Sequence, residues 1–178
     1  MVEIVPYRPE WPSEFAQLEA RLRSVVGPEP RIEHIGSTAV PGLAAKDVLD
    51  AQIEAPDPAA IALLLSDAGF VRRGPATDHL PPGAEADGWD KELLVAPPEE
   101  RSVHVHVRRS GAPNARYALL CRDYLRTHAE VACSYGELKR RLAALPIDRV
   151  QYAETKDPAF DLIMAGAEVW AAGSGWAH

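Results

Sequence analysis

Side chains able to bind a metal or move a proton occur at two-residue spacing in two short, alternating stretches of this chain. VLDAQI carries Asp50 and Gln52, and VHVHV carries His104 and His106. Residues two apart on a β-strand point to the same face of the sheet. An H-x-H strand therefore presents two imidazoles together, which suits transition-metal binding or acid–base work. Asp50, set between apolar neighbours, would add a carboxylate that needs a partner or a metal.

A second pattern precedes the Asp50 stretch. HIGSTAVPGL, residues 34–43, ends one apolar segment with Gly36, Ser37 and Thr38. Glycine lets the backbone approach a ligand closely, and the hydroxyls and turn N–H groups can donate to phosphate oxygens. The tripeptide predicts a phosphate-binding turn. The alternative is an ordinary turn in which Ser37 or Thr38 caps the next segment.

Basic residues form a third group. Lys46 precedes the Asp50 strand, and Arg122 and Arg126 stand four apart, which places them on one face of a helix. Their forked donors suit phosphate oxygens. The alternative is pairing with carboxylates of the protein itself. Lys139 and Lys156 are further basic residues of the same helical part.

The elements that must position these residues follow from apolar spacing and from turn signals. The sequence predicts a helix after Trp11-Pro12-Ser13 capped by Ser13, a strand over 31–35, a strand over 46–54, a helix after Asp57-Pro58, a long loop over 71–88 and an antiparallel pair of strands over 89–96 and 102–108. Everything after Asn114 is helical in pattern. The expected helices cover 114–135 with Asn114 as cap, about 135–145, and 158–170.

Composition places the chain among folded proteins. Its 178 residues are 47% hydrophobic and 25% charged, close to a usual globular mixture. We expect one domain over 1–178, with an α/β core over 1–110 and a helical part over 111–178. The net charge of −7 disfavours binding to a nucleic-acid backbone.

The expected location is cytoplasmic. No stretch reaches the roughly 20 apolar residues of a membrane span, and the N-terminal residues lack the apolar run of a secretory signal. Cys121 and Cys133, twelve residues apart in one helical pattern, suggest neither a disulfide nor a metal pair, which fits a reducing compartment.

Four stretches, in order, resemble the GrpB family: EHIGSTAVPGLAAKDVLDAQI, HVHV, CRDYLRTHAEVACSYGELKRRLA and YAETKDPAF. The resemblance implies an α+β, nucleotidyltransferase-like fold, with a small mixed β-sheet, flanking helices and a C-terminal helical group. In that superfamily a Gly-Ser turn holds nucleotide phosphates and carboxylates on neighbouring strands bind divalent metal. The resemblance thus implies phosphate binding at Gly36, Ser37 and Thr38 and Mg²⁺ or Mn²⁺ at Asp50. Related domains are appended to dephospho-CoA kinases, which implies a protein partner as an alternative.

The chain departs from an active transferase pattern. Two-metal transfer commonly needs two acids at i and i+2 and a third on the next strand, where this chain has Gln52, His104 and His106. One carboxylate can still hold one Mg²⁺. We therefore expect a protein that binds a nucleotide or phosphorylated small molecule at a metal held by Asp50, Gln52, His104 and His106, with a histidine as ligand or base. The reaction that the resemblance implies is nucleotidyl transfer, with Asp50, His104 and His106 as the candidate catalytic residues. The alternatives are a non-catalytic accessory module for a partner enzyme and a metal-dependent hydrolase that uses another transition metal.

Overall fold

The computed structural model describes residues 2–177. The helices are α1 (Trp11–Val26), α2 (Pro58–Asp67), α3 (Pro113–Thr127), α4 (Ala129–Ala143) and α5 (Arg149–Ser174). The strands are β1 (Arg31–Ile35), β2 (Leu49–Ala55), β3 (Val71–Thr77), β4 (Asp90–Val95) and β5 (Val103–Arg109).

The five strands form one mixed sheet in the order β1-β2-β5-β4-β3. β2 and β5 pair in parallel, and the other neighbours pair antiparallel. The register of the parallel pair sets Asp50 opposite His104 and Gln52 opposite His106. The expected α+β class, a small mixed sheet followed by a helical group, is confirmed.

The two faces of the sheet have different chemistry because the strands alternate. Leu49, Ala51 and Ile53 belong to a buried core that also contains Trp11 of α1 and Leu65 of α2. The opposite face carries the polar residues of β2 and β5 and is covered by the C-terminal helices. Direct contact is shown by the Gln52 amide, which donates to the carbonyl of Ala115 in α3.

A second apolar core joins the C-terminal helices to the segment between β1 and β2. Val40 and Leu43 of that segment pack with Leu120 of α3, Tyr135 of α4 and Met164 of α5. The segment includes a short 3₁₀ turn over Ser37–Ala39. The predicted phosphate turn is therefore clamped between the sheet and the helices.

The predicted loop over 71–88 is wrong in its first half, because Val71–Thr77 forms β3. The Gly74-Pro75 pair suggested a loop, yet β3 is an edge strand that pairs only with β4, with a register shift between Arg72 and Gly74. Proline, which lacks an N–H, is tolerated on such an edge or beside a bulge.

The helices also differ from expectation at their ends. α1 begins at Trp11, so Ser13 lies inside its first turn instead of capping it. The helix expected over 114–135 is interrupted at His128, whose φ of −123° and ψ of 78° are not helical. Asn114 does not cap α3; it is buried in the helix, and Ala112 occupies the cap position.

The last helix begins well before Pro158. Asp148 and Gln151 form a capping box at its start, and Pro158 lies within the helix. The two cysteines fall on different helices, with Cys121 buried and Cys133 exposed. No helix within residues 2–177 combines the length and the apolar composition that a bilayer span requires.

Candidate metal and phosphate site

Asp50, His104 and His106 converge on the helix-covered face of the sheet. One ligand atom from each lies within 4.8 Å of the others. His104 Nδ1 and His106 Nε2 each stand 3.3 Å from Asp50 Oδ1. This grouping follows from the strand alternation and the parallel register, and it brings together the three residues that the sequence singled out. We call it the Asp-His-His cluster.

The ionisation of the cluster suits metal binding. Burial alone would raise the pKa of Asp50, but hydrogen bonds and charge interactions with His104 and His106 outweigh it and hold that pKa below its usual value. Burial lowers the pKa of His106 to about 4, despite its hydrogen bond to Asp50. At neutral pH the cluster offers a carboxylate and a neutral imidazole, which are the forms that bind metals.

The donor set fits some metals better than others. Imidazole nitrogen suits Zn²⁺, Fe²⁺, Ni²⁺ and Cu²⁺, whereas Mg²⁺ prefers an all-oxygen, octahedral shell. Two imidazoles and one carboxylate leave positions open for water or a ligand. The cluster is therefore suited to a transition metal with an open coordination site.

Gly36 lies directly against this cluster. Its φ is +70°, and a Cβ atom built on it would stand 2.5 Å from Asp50 Oδ2. A side chain would therefore displace the carboxylate, and the backbone conformation itself favours glycine. The glycine permits the turn before Ser37 to approach the Asp50 carboxylate.

The hydroxyls of the turn have different surroundings. Ser37 Oγ accepts a hydrogen bond of 2.8 Å from Lys139 Nζ of α4. Thr38 is buried, and its Oγ1 lies 3.0 Å from His34 Nε2. The His34 ring stacks on Phe15 at a centroid distance of 4.2 Å, and burial lowers the pKa of His34 to about 4. Ser37 thus faces a cation, whereas Thr38 helps to fasten the turn to β1.

A cavity of about 280 Å³ opens on the His104 side of the cluster. We call it the lysine pocket because Lys46, Lys139 and Lys156 line it, together with Ser37 and Thr38. Lys139 is only 3% exposed, and burial, reinforced by the charge of Lys156, lowers its pKa to about 7.

Lys139 has no acidic partner. Its ammonium contacts the Ser37 hydroxyl and lies 4.6 Å from the centre of the Tyr135 ring. Within residues 2–177, no carboxylate lies at ion-pair distance from it. A buried cation is costly without a counter-charge. The lysine pocket therefore favours an anion.

A second cavity of about 240 Å³ opens on the His106 side. We call it the aromatic pocket because the rings of Trp89, Tyr117, Tyr135 and Phe160 line it. Both cavities share Gly36, Ser37, Asp50, Tyr135 and Phe160. The cluster and the glycine turn thus lie where the two pockets meet.

Gln52, expected as a metal ligand, is bound to other groups in the structure. It is fully buried, and its Oε1 accepts a hydrogen bond of 2.6 Å from Arg108. Its amide nitrogen donates to Glu54 and to the carbonyl of Ala115. The oxygen that a metal would use therefore accepts from a guanidinium, and we leave Gln52 out of the proposed metal site.

Arg122 and Arg126 reach the turn but use their donors within the protein. Arg122 pairs with Glu33 at 2.7 Å and donates to the carbonyl of His34. Arg126 donates to the carbonyl of Ala39 at 2.9 Å. These bonds tie α3 to β1 and to the turn, so the two arginines act in positioning the turn.

Lys139 is the site residue to which sequence reasoning gave too little weight. It lies one helical turn after Gly136, where a Cβ atom would stand 3.4 Å from Leu43 Cδ1. A glycine inside a helical pattern signals close packing. That signal indicated which face of α4 approaches the turn, although not that an unpaired lysine lay on it.

Fold and site together define a class: a small α+β protein with a carboxylate–imidazole cluster on its sheet, beside a Gly-Ser turn. The chain belongs to the GrpB family, since the sequence model described as GrpB protein matches residues 1–165.

Individual relatives agree with this membership. The UPF0157 protein YqkA of Bacillus subtilis is 34% identical over 97% of this chain and 49% of its own length. A dephospho-CoA kinase of Mycolicibacterium paratuberculosis is 32% identical over 98% of this chain and 48% of its own length. The chain thus spans about half the length of these two relatives.

A solved structure shows the same fold. The crystal structure of the conserved protein GrpB from Enterococcus faecalis aligns with a TM-score of 0.77 and 28% identity, over 94% of this chain and 99% of that chain.

The contact between Gly36 and Asp50 can be tested with matched glycine variants. Gly36→Ala and Gly42→Ala both place alanine at positive φ, +70° and +78°, but only the first meets Asp50. Each should lose about 1–3 kcal/mol of unfolding free energy, because alanine rarely adopts a positive φ. Gly36→Ala should in addition weaken Zn²⁺ binding, as measured by calorimetry, because the carboxylate must move. Equal metal affinity in the two variants would show that the contact is irrelevant to the cluster.

Proposed function

We propose that this protein binds a nucleotide or another phosphorylated small molecule together with one divalent metal. The phosphates would lie against the Gly36 turn and extend into the lysine pocket. The observation that carries the proposal is Lys139: its buried amine donates to Ser37 beside the Asp-His-His cluster, and no carboxylate of the described residues pairs with it. A phosphate supplies the negative charge that this arrangement lacks.

The proposed metal is held by Asp50, His104 and His106. Their donor set favours Zn²⁺, Fe²⁺ or a similar transition metal over Mg²⁺. Such a metal, once bound, would polarise a phosphoryl oxygen or a bound water. Gly36 keeps the turn close enough for a phosphate to contact the metal and Ser37 together.

Chemistry at this site would use one metal. Among the residues described, Asp50 is the carboxylate of the cluster, and two-metal phosphoryl transfer requires more acidic ligands. The two histidines favour a single-metal reaction, either nucleotidyl transfer, as the family resemblance implies, or hydrolysis.

The second candidate function is an accessory module that binds its ligand without turnover and acts on a partner enzyme. The observation in its favour is Gln52, which occupies the place of a second acid and is committed to Arg108. Relatives named dephospho-CoA kinase, whose length this chain half covers, suggest the kind of partner. Nucleotide turnover that disappears in Asp50→Asn would exclude this candidate.

Metal binding can be measured by calorimetry with Zn²⁺ and Mn²⁺ on protein stripped of metal. Asp50→Asn and His104→Ala should each weaken Zn²⁺ binding by at least roughly 10- to 100-fold. Loss of a group that only hydrogen-bonds to a metal ligand already has an effect of that size. His104 suits truncation because its side chain is 44% exposed. His128→Ala is the matched control, since His128 lies at the junction of α3 and α4 and outside the cluster. Unchanged Zn²⁺ affinity in both cluster variants would disprove the metal site.

Anion binding should depend on pH through Lys139. Because burial lowers its pKa to about 7, the free protein carries the ammonium below that pH and loses it above. Sulfate affinity, followed by NMR titration without metal, should therefore fall as the pH rises from about 6 to about 8. Sulfate keeps a constant charge across this range, so the change reports on the protein.

Two variants isolate the contribution of Lys139. Lys139→Arg keeps a positive charge throughout and should flatten the pH profile, whereas Lys139→Met should weaken sulfate binding at all pH values. The charged and titratable groups with which Lys139 interacts are Lys156, Cys121, Arg140 and Asp50. An unchanged profile in Lys139→Arg would assign the pH dependence to a group other than Lys139 and contradict its proposed role.

A further inference from the structure

The two pockets beside the cluster differ in their charged groups, and this difference indicates how a substrate lies across the cluster. The lysine pocket is lined by Lys46, Lys139 and Lys156. Lys156 pairs with Asp157 at 3.4 Å and Lys46 lies over the Tyr152 ring, whereas Lys139 has no carboxylate at ion-pair distance within residues 2–177. The aromatic pocket is lined by guanidinium groups that already have partners, since Arg108 pairs with Asp78 at 2.9 Å and Arg122 pairs with Glu33. Phosphate is therefore favoured in the first pocket and not in the second.

The aromatic pocket has a connected set of rings. Trp89 and Tyr117 lie 5.3 Å apart between centroids at an angle of 73°. Tyr117 and Phe160 lie 5.5 Å apart, and Phe160 and Tyr135 lie 6.4 Å apart. Ring faces in such a cavity favour a planar, apolar-faced ligand by stacking. Tyr135 and Phe160 also border the lysine pocket, so one ligand can contact both cavities.

A buried polar group in the same pocket lacks a partner. Asn114 is 2% exposed, and its Nδ2 donates to Asp78 and to the carbonyl of Asp90, each at 3.1 Å. Its Oδ1 has no hydrogen-bond partner within residues 2–177. The amide cannot flip without turning its oxygen toward a carboxylate and a carbonyl. Asn114 is thus held in one orientation at the edge of the pocket, with its Oδ1 closed to solvent.

We infer that the aromatic pocket binds the nucleobase of the substrate, while the phosphates pass Gly36 and enter the lysine pocket. The inference rests on the proposed function and narrows its substrate class from phosphorylated small molecules to nucleotides. The shared wall of Gly36, Ser37 and Asp50 is then where the sugar and first phosphate lie.

Calorimetry with two probes in the presence of Mn²⁺ tests this arrangement. Inorganic tripolyphosphate has the phosphates without the base, and the four ribonucleoside triphosphates have both. At least one nucleoside triphosphate should bind about tenfold or more tightly than tripolyphosphate, which is the gain expected from stacking one base. Tyr117→Leu should remove most of that gain and leave tripolyphosphate affinity unchanged, whereas Lys139→Met should weaken both probes.

Tyr7→Leu is the matched control. Tyr7 is also a half-buried tyrosine, but it packs on Trp11 in the core on the other side of the sheet. Its variant should bind both probes as the unchanged protein does. If Tyr117→Leu does not fold, ligand-to-ring NOEs on the unchanged protein decide the question, because base protons should contact the Trp89 and Tyr117 rings.

The outcomes separate this inference from the proposed function. Tripolyphosphate binding as tight as that of every nucleoside triphosphate, or NOEs to other rings, would overturn the base pocket and leave phosphate binding intact. Absence of binding by tripolyphosphate and by all four nucleoside triphosphates would overturn the proposed function itself.

Discussion

The contact between the Gly36 backbone and the Asp50 carboxylate is the constraint on which the site depends. With no Cβ at Gly36, the turn lies where a side chain would come within 2.5 Å of Asp50 Oδ2. This closeness puts Ser37 and the Asp-His-His cluster on a common wall of two cavities. The clamping of the turn by Val40 and Leu43 in the helical core, and by Arg122 and Arg126, holds that contact in place.

The two sides of the Asp-His-His cluster differ in charge. One side of the cluster has three lysines, one of them buried and unpaired, and the other side has aromatic rings and guanidinium groups already neutralised by carboxylates. A ligand with charge at one end and a planar ring at the other fits both sides at once. Gln52 is a structural residue, because its amide oxygen accepts a hydrogen bond from Arg108 of the neighbouring strand.

Local patterns in the sequence predicted much of the fold and the three residues of the cluster. The alternation of β2 and β5 placed Asp50, His104 and His106 on common faces, and the Asp57-Pro58 signal predicted the start of α2, with Asp57 as its cap. What could not be predicted depends on distant parts of the chain. The pairing of β2 with β5, the tolerance of Gly74-Pro75 at the sheet edge and the partners of Arg122 are all set by neighbours far away in sequence. Lys139 is the clearest case, because a lysine becomes informative only when packing removes both water and counter-charge.

The most direct test of the central claim is anomalous diffraction from crystals grown with Zn²⁺ and tripolyphosphate. We predict one anomalous peak within about 2.0–2.2 Å of a carboxylate oxygen of Asp50 and of a nitrogen of His104 and of His106, with phosphate density reaching Ser37 and Lys139. A peak elsewhere, or phosphate density away from the Gly36 turn, would contradict the account.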